Sequence, residues 1–135
     1  MTHLDAIEYR FHDASVPPPD HRSYVLTARP QEVRCIVDSY GDVVNDCTMP
    51  IGPGAFERVA ELALALRVGP DPGPPQDCVG GTGESLTLTA SGHVVLRGDR
   101  HHCGGRSTGG LIGDLTLLKQ ALQELFGGRF RDLLR

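Results

Sequence analysis

The feature that most constrains this chain is a pattern used twice. An alternating apolar run leads into a three-residue connection ending in glycine, and a second alternating run follows. Val33, Cys35 and Val37 share one face of an extended segment, Ser39-Tyr40-Gly41 follows, and Val43 and Cys47 recur beyond it. Alternation with period two marks a half-buried strand, and a glycine free to take positive φ closes a tight hairpin. A three-residue loop predicts Val37 opposite Val43 and Val33 opposite Cys47. It sets Cys35 and Cys47 diagonal to each other, as two small core residues rather than a disulfide. The second copy runs from Glu84 to Thr89, turns at Ala90-Ser91-Gly92 and returns from His93 to Gly98. It pairs Leu88 with Val94 and Leu86 with Leu96.

Further strands are predicted over residues 6–12, where Ile7, Tyr9 and Phe11 face one way, and over 22–29. The run Val16-Pro17-Pro18-Pro19-Asp20 reads as a surface loop, because proline lacks a donor and holds φ fixed. Phe56, Val59, Ala63 and Leu66 fall at helical spacing, predicting a helix over 53–68 with Pro53 in its first turn. A Pro/Gly-rich loop occupies 69–77. The last helix starts near Asp114, an N-cap, and carries a stripe of Leu115, Leu118, Leu122 and Leu125 until Gly127-Gly128 stops it. The tail from Phe130 to Leu134 is amphipathic and either folds back or meets a partner. The expected fold is a single α+β domain over residues 1–135: an antiparallel sheet of five to six strands, meander plus hairpin, with two main helices on one face.

Composition narrows the function classes. The chain has 135 residues and a net charge of −4, which argues against a sequence-independent nucleic-acid binder. Aromatics are 5% with no Trp, so stacking platforms are poorly supplied. No run approaches the roughly 20 apolar residues of a membrane span. Lys119 is the single lysine among 13 basic residues, a bias read as GC-rich bacterial coding. Met1-Thr2-His3-Leu4-Asp5 lacks a basic start and an apolar run, so a cytoplasmic location is expected.

The densest chemistry lies in Asp99-Arg100-His101-His102-Cys103-Gly104-Gly105. Extending the second hairpin outward brings Val79 opposite Cys103 and Cys78 opposite Gly104. The two cysteines then lie close but point to opposite faces unless a bulge, for which Gly80-Gly81 is the expected place, turns one of them. Three readings compete. One is structural: buried thiols, with or without a Cys78–Cys103 disulfide. The second is a zinc site drawing on Cys78, His101, His102 and Cys103, with His101 the better imidazole because it shares a face with Cys103. The third is a Cys103 nucleophile with a histidine base. The structural reading is preferred, because the spacing matches no paired zinc signature and no positioned base is evident. The runs around Gly80 and Gly104–Gly110 lack the lysine of a phosphate loop and read as flexible loops. Asp38, Asp42 and Asp46 flank a turn, where aspartate serves the backbone.

Arg22-Ser23-Tyr24, Asp38-Ser39-Tyr40-Gly41-Asp42-Val43, Cys78-Val79-Gly80-Gly81 and His102-Cys103-Gly104-Gly105 together resemble small bacterial α+β proteins of uncharacterised family. The resemblance implies the fold and no activity. The expected function is non-enzymatic: binding of another macromolecule as an inhibitor, immunity-type or accessory protein, with a protein partner or a second copy and no cofactor. The alternative is a metal- or thiol-dependent site around Cys78, His101, His102 and Cys103.

Overall fold

The computed structural model describes residues 3–73, 78 and 80–135. The strands are β1 (Ala6–His12), β2 (Ser23–Arg29), β3 (Glu32–Ser39), β4 (Asp42–Pro50), β5 (Arg67–Val68), β6 (Thr82–Ala90), β7 (His93–Cys103), β8 (Arg106–Gly109) and β9 (Leu111–Ile112). Helix α1 (Pro53–Leu64) follows β4, and α2 (Leu115–Glu124) and α3 (Arg129–Leu133) close the chain. The main sheet holds seven strands in the order β4-β3-β2-β1-β6-β7-β8, and β5 pairs with β9 in a small second sheet. All pairings are antiparallel.

The α+β expectation holds, and the main sheet is wider than the five to six strands expected. The additions come from segments that composition disguised. The Gly-rich run after Cys103 forms β8 and β9 instead of a flexible loop. The helix expected to reach residue 68 ends at Leu64, and Arg67–Val68 extend to meet β9. No helix among the described residues is long and apolar enough to cross a membrane.

One face of the sheet carries the core. Tyr9 lies beside Leu26 and Leu86 in the register, Leu26 beside Cys35, and all are buried. Phe56, Val59 and Ala63 of α1, Leu115, Leu118 and Leu122 of α2, and Phe126 and Phe130 join them in a single cluster. Asp114 caps α2 as expected, its Oδ1 accepting the Leu117 N–H at 2.9 Å. The tail folds back. Phe130 is buried against Tyr24 at 5.2 Å, and the carbonyls of Leu133 and Leu134 accept from Asn45 at 2.6 Å and Arg22 at 3.1 Å.

Both glycine hairpins form, in a register different from the one expected. The loops have two residues, Tyr40-Gly41 and Ser91-Gly92, with positive φ at both positions. Such turns match the twist of paired strands. Each is followed by a bulge: Val44 is the extra residue in β4 and Val95 in β7. The bulge restores the apolar face that the shorter loop would have flipped. Val43 and Val94, expected inside, therefore point out. Cys35 lies directly opposite Cys47, Leu88 opposite Leu96 and Leu86 opposite Gly98. Tyr40 accepts its left-handed backbone because its ring stacks on His21 at 3.8 Å and its hydroxyl donates to the Val16 carbonyl at 2.6 Å. This ties the proline loop to the hairpin tip. At the turn Asp38 accepts the Gly41 N–H, and Asp46 pairs with Arg34 on the outer face.

Gly98 is where the small sheet plugs the main one. A Cβ there would lie 2.8 Å from Leu111 Cδ2 and 3.0 Å from Val68 Cγ2. Overpacking of this kind costs about 1–3 kcal/mol. Gly98→Ala is expected to lower the unfolding free energy by that amount, read as a lower urea midpoint with an unchanged m-value. An unchanged midpoint would remove the plug from the account.

Candidate functional site

The end of the β6–β7–β8 ladder gathers the residues the sequence singled out. Cys78 and Cys103 form a disulfide, with Cα atoms 5.7 Å apart. The ladder predicted near approach and divergent side chains. The resolution of that conflict is that Cys78 stands outside the ladder, in the segment before β6, and the bulge lies at Val95 instead of Gly80-Gly81. The expected pairing of Val79 falls outside the described residues. Gly81 is small for a steric reason: a Cβ would meet Cys78 Sγ at 2.7 Å and Cys103 Cβ at 3.2 Å.

The bridge bears on both chemical readings of these cysteines. Sulfurs bonded to one another are neither thiolate ligands nor a nucleophile. Among the described residues no group of three or more His, Cys, Asp and Glu is placed to hold a metal ion. His101 and His102 point to opposite faces, as adjacent strand residues must. His101 lines an outer cleft of about 430 Å³ with His12, Asp99 and Cys78. His102 turns to the helix side, where the sequence had offered it no partner.

There the structure builds an arrangement that sequence reasoning missed. His102 Nε2 meets Glu84 Oε1, and its Nδ1 lies 2.7 Å from Ser107 Oγ. Glu84 Oε2 accepts a hydrogen bond from the Tyr9 hydroxyl. Each contact follows from the register. His102 lies opposite both Thr82 and Ser107, so Glu84, two residues along β6, and Ser107 on β8 flank the same ring. Tyr9 reaches Glu84 from β1, on the other side of β6. Arg100, the cross-strand partner of Glu84, is occupied elsewhere: its Nη2 donates to the carbonyls of Leu111 and Gly113 at 2.9 and 3.2 Å.

Accessibility grades along this chain. The Glu84 side chain is 10% exposed, His102 is 35% exposed, and Ser107 is open to solvent. Burial first, and then the Glu84 carboxylate, push the Tyr9 phenol far above its usual range, so it acts only as a donor. As a carboxylate Glu84 can only accept, so His102 must present N–H from Nε2. In the neutral ring that leaves the Nδ1 lone pair facing the Ser107 hydroxyl. A polar residue at a core-facing strand position, as Glu84 is in Glu84-x-Leu86-x-Leu88, is the signal that could have found this site.

A second feature lies on the same face. Phe11, Tyr24 and Phe130 floor a groove of about 540 Å³ between the sheet and α2–α3, with Arg22, Lys119 and Arg131 on its walls. Among the described residues, Glu124 is its one acidic lining residue. Phe11 stacks on Tyr24 at 5.2 Å, Gln123 donates to the Tyr24 hydroxyl at 3.1 Å, and Lys119 Nζ sits 5.4 Å from the Phe11 ring centre. Phe11 is also the register partner of Glu84, so the groove adjoins the histidine.

The remaining cysteines are free. Burial pushes the Cys35 thiol up to about 12, with Cys47 and Asp46 adding to the rise, and this keeps it protonated and inert at neutral pH. Unfolding without reductant is therefore expected to expose two titratable thiols, Cys35 and Cys47, and reduction to expose four. Four thiols before reduction would contradict the bridge. Replacing Cys78 and Cys103 together by Ala is expected to cost about 3.5 kcal/mol, as release of a loop closed across a separation of 25 residues does.

Compared with known proteins, the chain matches no protein-family model, no curated protein and no solved structure.

Proposed function

We propose that the protein is a binding domain whose groove takes an acidic segment of a partner protein. The observation that carries this reading is a reversal of charge. The chain as a whole is at −4, yet among the described residues Arg22, Lys119 and Arg131 stand around the groove against Glu124. Cations over an aromatic floor suit carboxylate side chains interleaved with apolar ones, and positive potential in an otherwise acidic molecule selects for such a partner. The tail, which had been the one sequence feature favouring a partner, lines the groove here through Phe130, Arg131 and Leu134.

The reading sets no compartment. A cytoplasmic location and a closed Cys78–Cys103 bridge pull in opposite directions, because a reducing cytosol keeps thiols open.

The test is a fluorescent peptide alternating Glu and Phe, with a Gln-for-Glu peptide as control, read by polarisation. The acidic peptide is expected to bind in low salt and to lose affinity as salt rises. Lys119→Glu with Arg131→Glu should weaken it at least about tenfold, or 1.4 kcal/mol, with no change in thermal midpoint. Equal binding of the two peptides would remove the proposal.

A further inference from the structure

The hydrogen-bonded chain at the end of the sheet goes beyond binding. We propose that Ser107 is a catalytic nucleophile for carboxylic esters, with His102 as its base and Glu84 and Tyr9 as positioning residues. Three observations carry this.

The first is connectivity. Ser107 Oγ, His102 and Glu84 stand in the order nucleophile, base, orienting carboxylate, with 2.7 Å between Ser107 Oγ and His102 Nδ1. A base within hydrogen-bond reach of a hydroxyl, itself oriented by a third group, is the geometry nucleophilic catalysis requires. The recurring hydrolase constellation is recognised by such roles and not by sequence order.

The second is tautomer control. Glu84 receives the Nε2–H of His102 on one oxygen and the Tyr9 hydroxyl on the other. The phenol remains a donor, so the carboxylate is held in place and the Nδ1 lone pair is aimed at Ser107. A surface serine bonded to a chance histidine has no such backing; this carboxylate is nine-tenths buried.

The third is access. Ser107 is exposed on β8, which ends the sheet, and no strand among the described residues covers its outer side. An edge strand offers backbone N–H and C=O groups to whatever docks there. The reacting oxygen is thus reachable, the half-buried His102 lies beside it, and the Glu84 carboxylate behind the ring is shielded from water.

The step balances without any further reagent but water. The Ser107 Oγ–acyl bond forms as the ester C–O bond to the leaving alcohol breaks. The serine proton passes to His102 Nδ1 and then to the departing alkoxide. Water next attacks the acyl-serine, gives its proton to the same nitrogen and releases the carboxylic acid, and the proton returns to Ser107.

The test uses the full chain, an alkyl fluorophosphonate as a serine probe, and p-nitrophenyl acetate as ester. Mass spectrometry is expected to find one phosphonyl group on Ser107, and the ester is expected to give a burst of nitrophenol near one equivalent. Ser107→Ala, at an exposed position, should fold normally and lose both. His102→Gly should label about 10²–10⁴-fold more slowly and regain rate with added imidazole, a rescue that a merely structural histidine would not show. Tyr9→Phe should slow labelling while leaving Ser107 reachable. Absence of the Ser107 adduct in folded wild-type protein would overturn the proposal. So would labelling in His102→Gly at the wild-type rate, or failure of imidazole to restore it in a variant whose circular dichroism is native. The acidic-peptide result bears on none of these outcomes, since the probes are neutral and small.

Discussion

Burying a carboxylate in an apolar layer costs several kcal/mol unless donors meet its oxygens, and Glu84 sits two residues before Leu86 on the strand face that makes the core. Much of this end of the molecule can be understood as the answer to that cost. Tyr9 brings its hydroxyl from β1, and His102 brings its ring from β7. Hydrogen bonds to a charged group are worth about 1.5–3 kcal/mol each, and losing one leaves the charge uncompensated. The two donors come from strands on either side of β6, so the carboxylate is met only when β1, β6 and β7 are in register. Glu84 thereby links the pairing of the meander to that of the second hairpin. The same demand orients His102 toward Ser107.

How far this was legible in the sequence depends on which physical rule governed each part. Strand alternation at Ile7-x-Tyr9-x-Phe11 and Val33-x-Cys35-x-Val37, the Asp114 cap and the leucine stripe of α2 are local signals, and each was read correctly. Turn length was not. Ser39-Tyr40-Gly41 and Ala90-Ser91-Gly92 suggest three-residue loops because Tyr and Ser rarely enter the left-handed region. Here Tyr40 does so because His21 and Val16 hold it, contacts from a distant loop that no local rule supplies. The shorter turns then required bulges at Val44 and Val95, and these moved Cys47 opposite Cys35 and exposed Val43 and Val94.

The candidate site was half visible for the same reason. Cys78, His101, His102 and Cys103 were the right neighbourhood, and the Cys78–Cys103 bridge was one of the open readings. The partners that give His102 a chemical role lie on other strands, at sequence separations only the register closes. Ser107 was hidden in a Gly-rich run that reads as loop, and forms a strand because the Gly104-Gly105 turn returns it along β7. The groove was hidden too, since Arg22, Lys119 and Arg131 share no sequence cluster and meet only through the fold-back of the tail. A negative chain thus carries three of its cations beside aromatic rings on the helix-covered face, next to the buried carboxylate of Glu84. That places the cationic groove on β1 and the histidine on β7, with β6 between them.

The link from Glu84 to Ser107 turns on which nitrogen of His102 carries its proton. A long-range ¹H–¹⁵N correlation spectrum of the histidine side chains, recorded at a pH where the ring is neutral and assigned through His102→Gln, reads this directly. A protonated Nε2 and an unprotonated Nδ1 are expected. A protonated Nδ1 with a bare Nε2 would mean that Glu84 is not accepting from the ring, and would contradict the central claim that the buried carboxylate orients His102 toward Ser107.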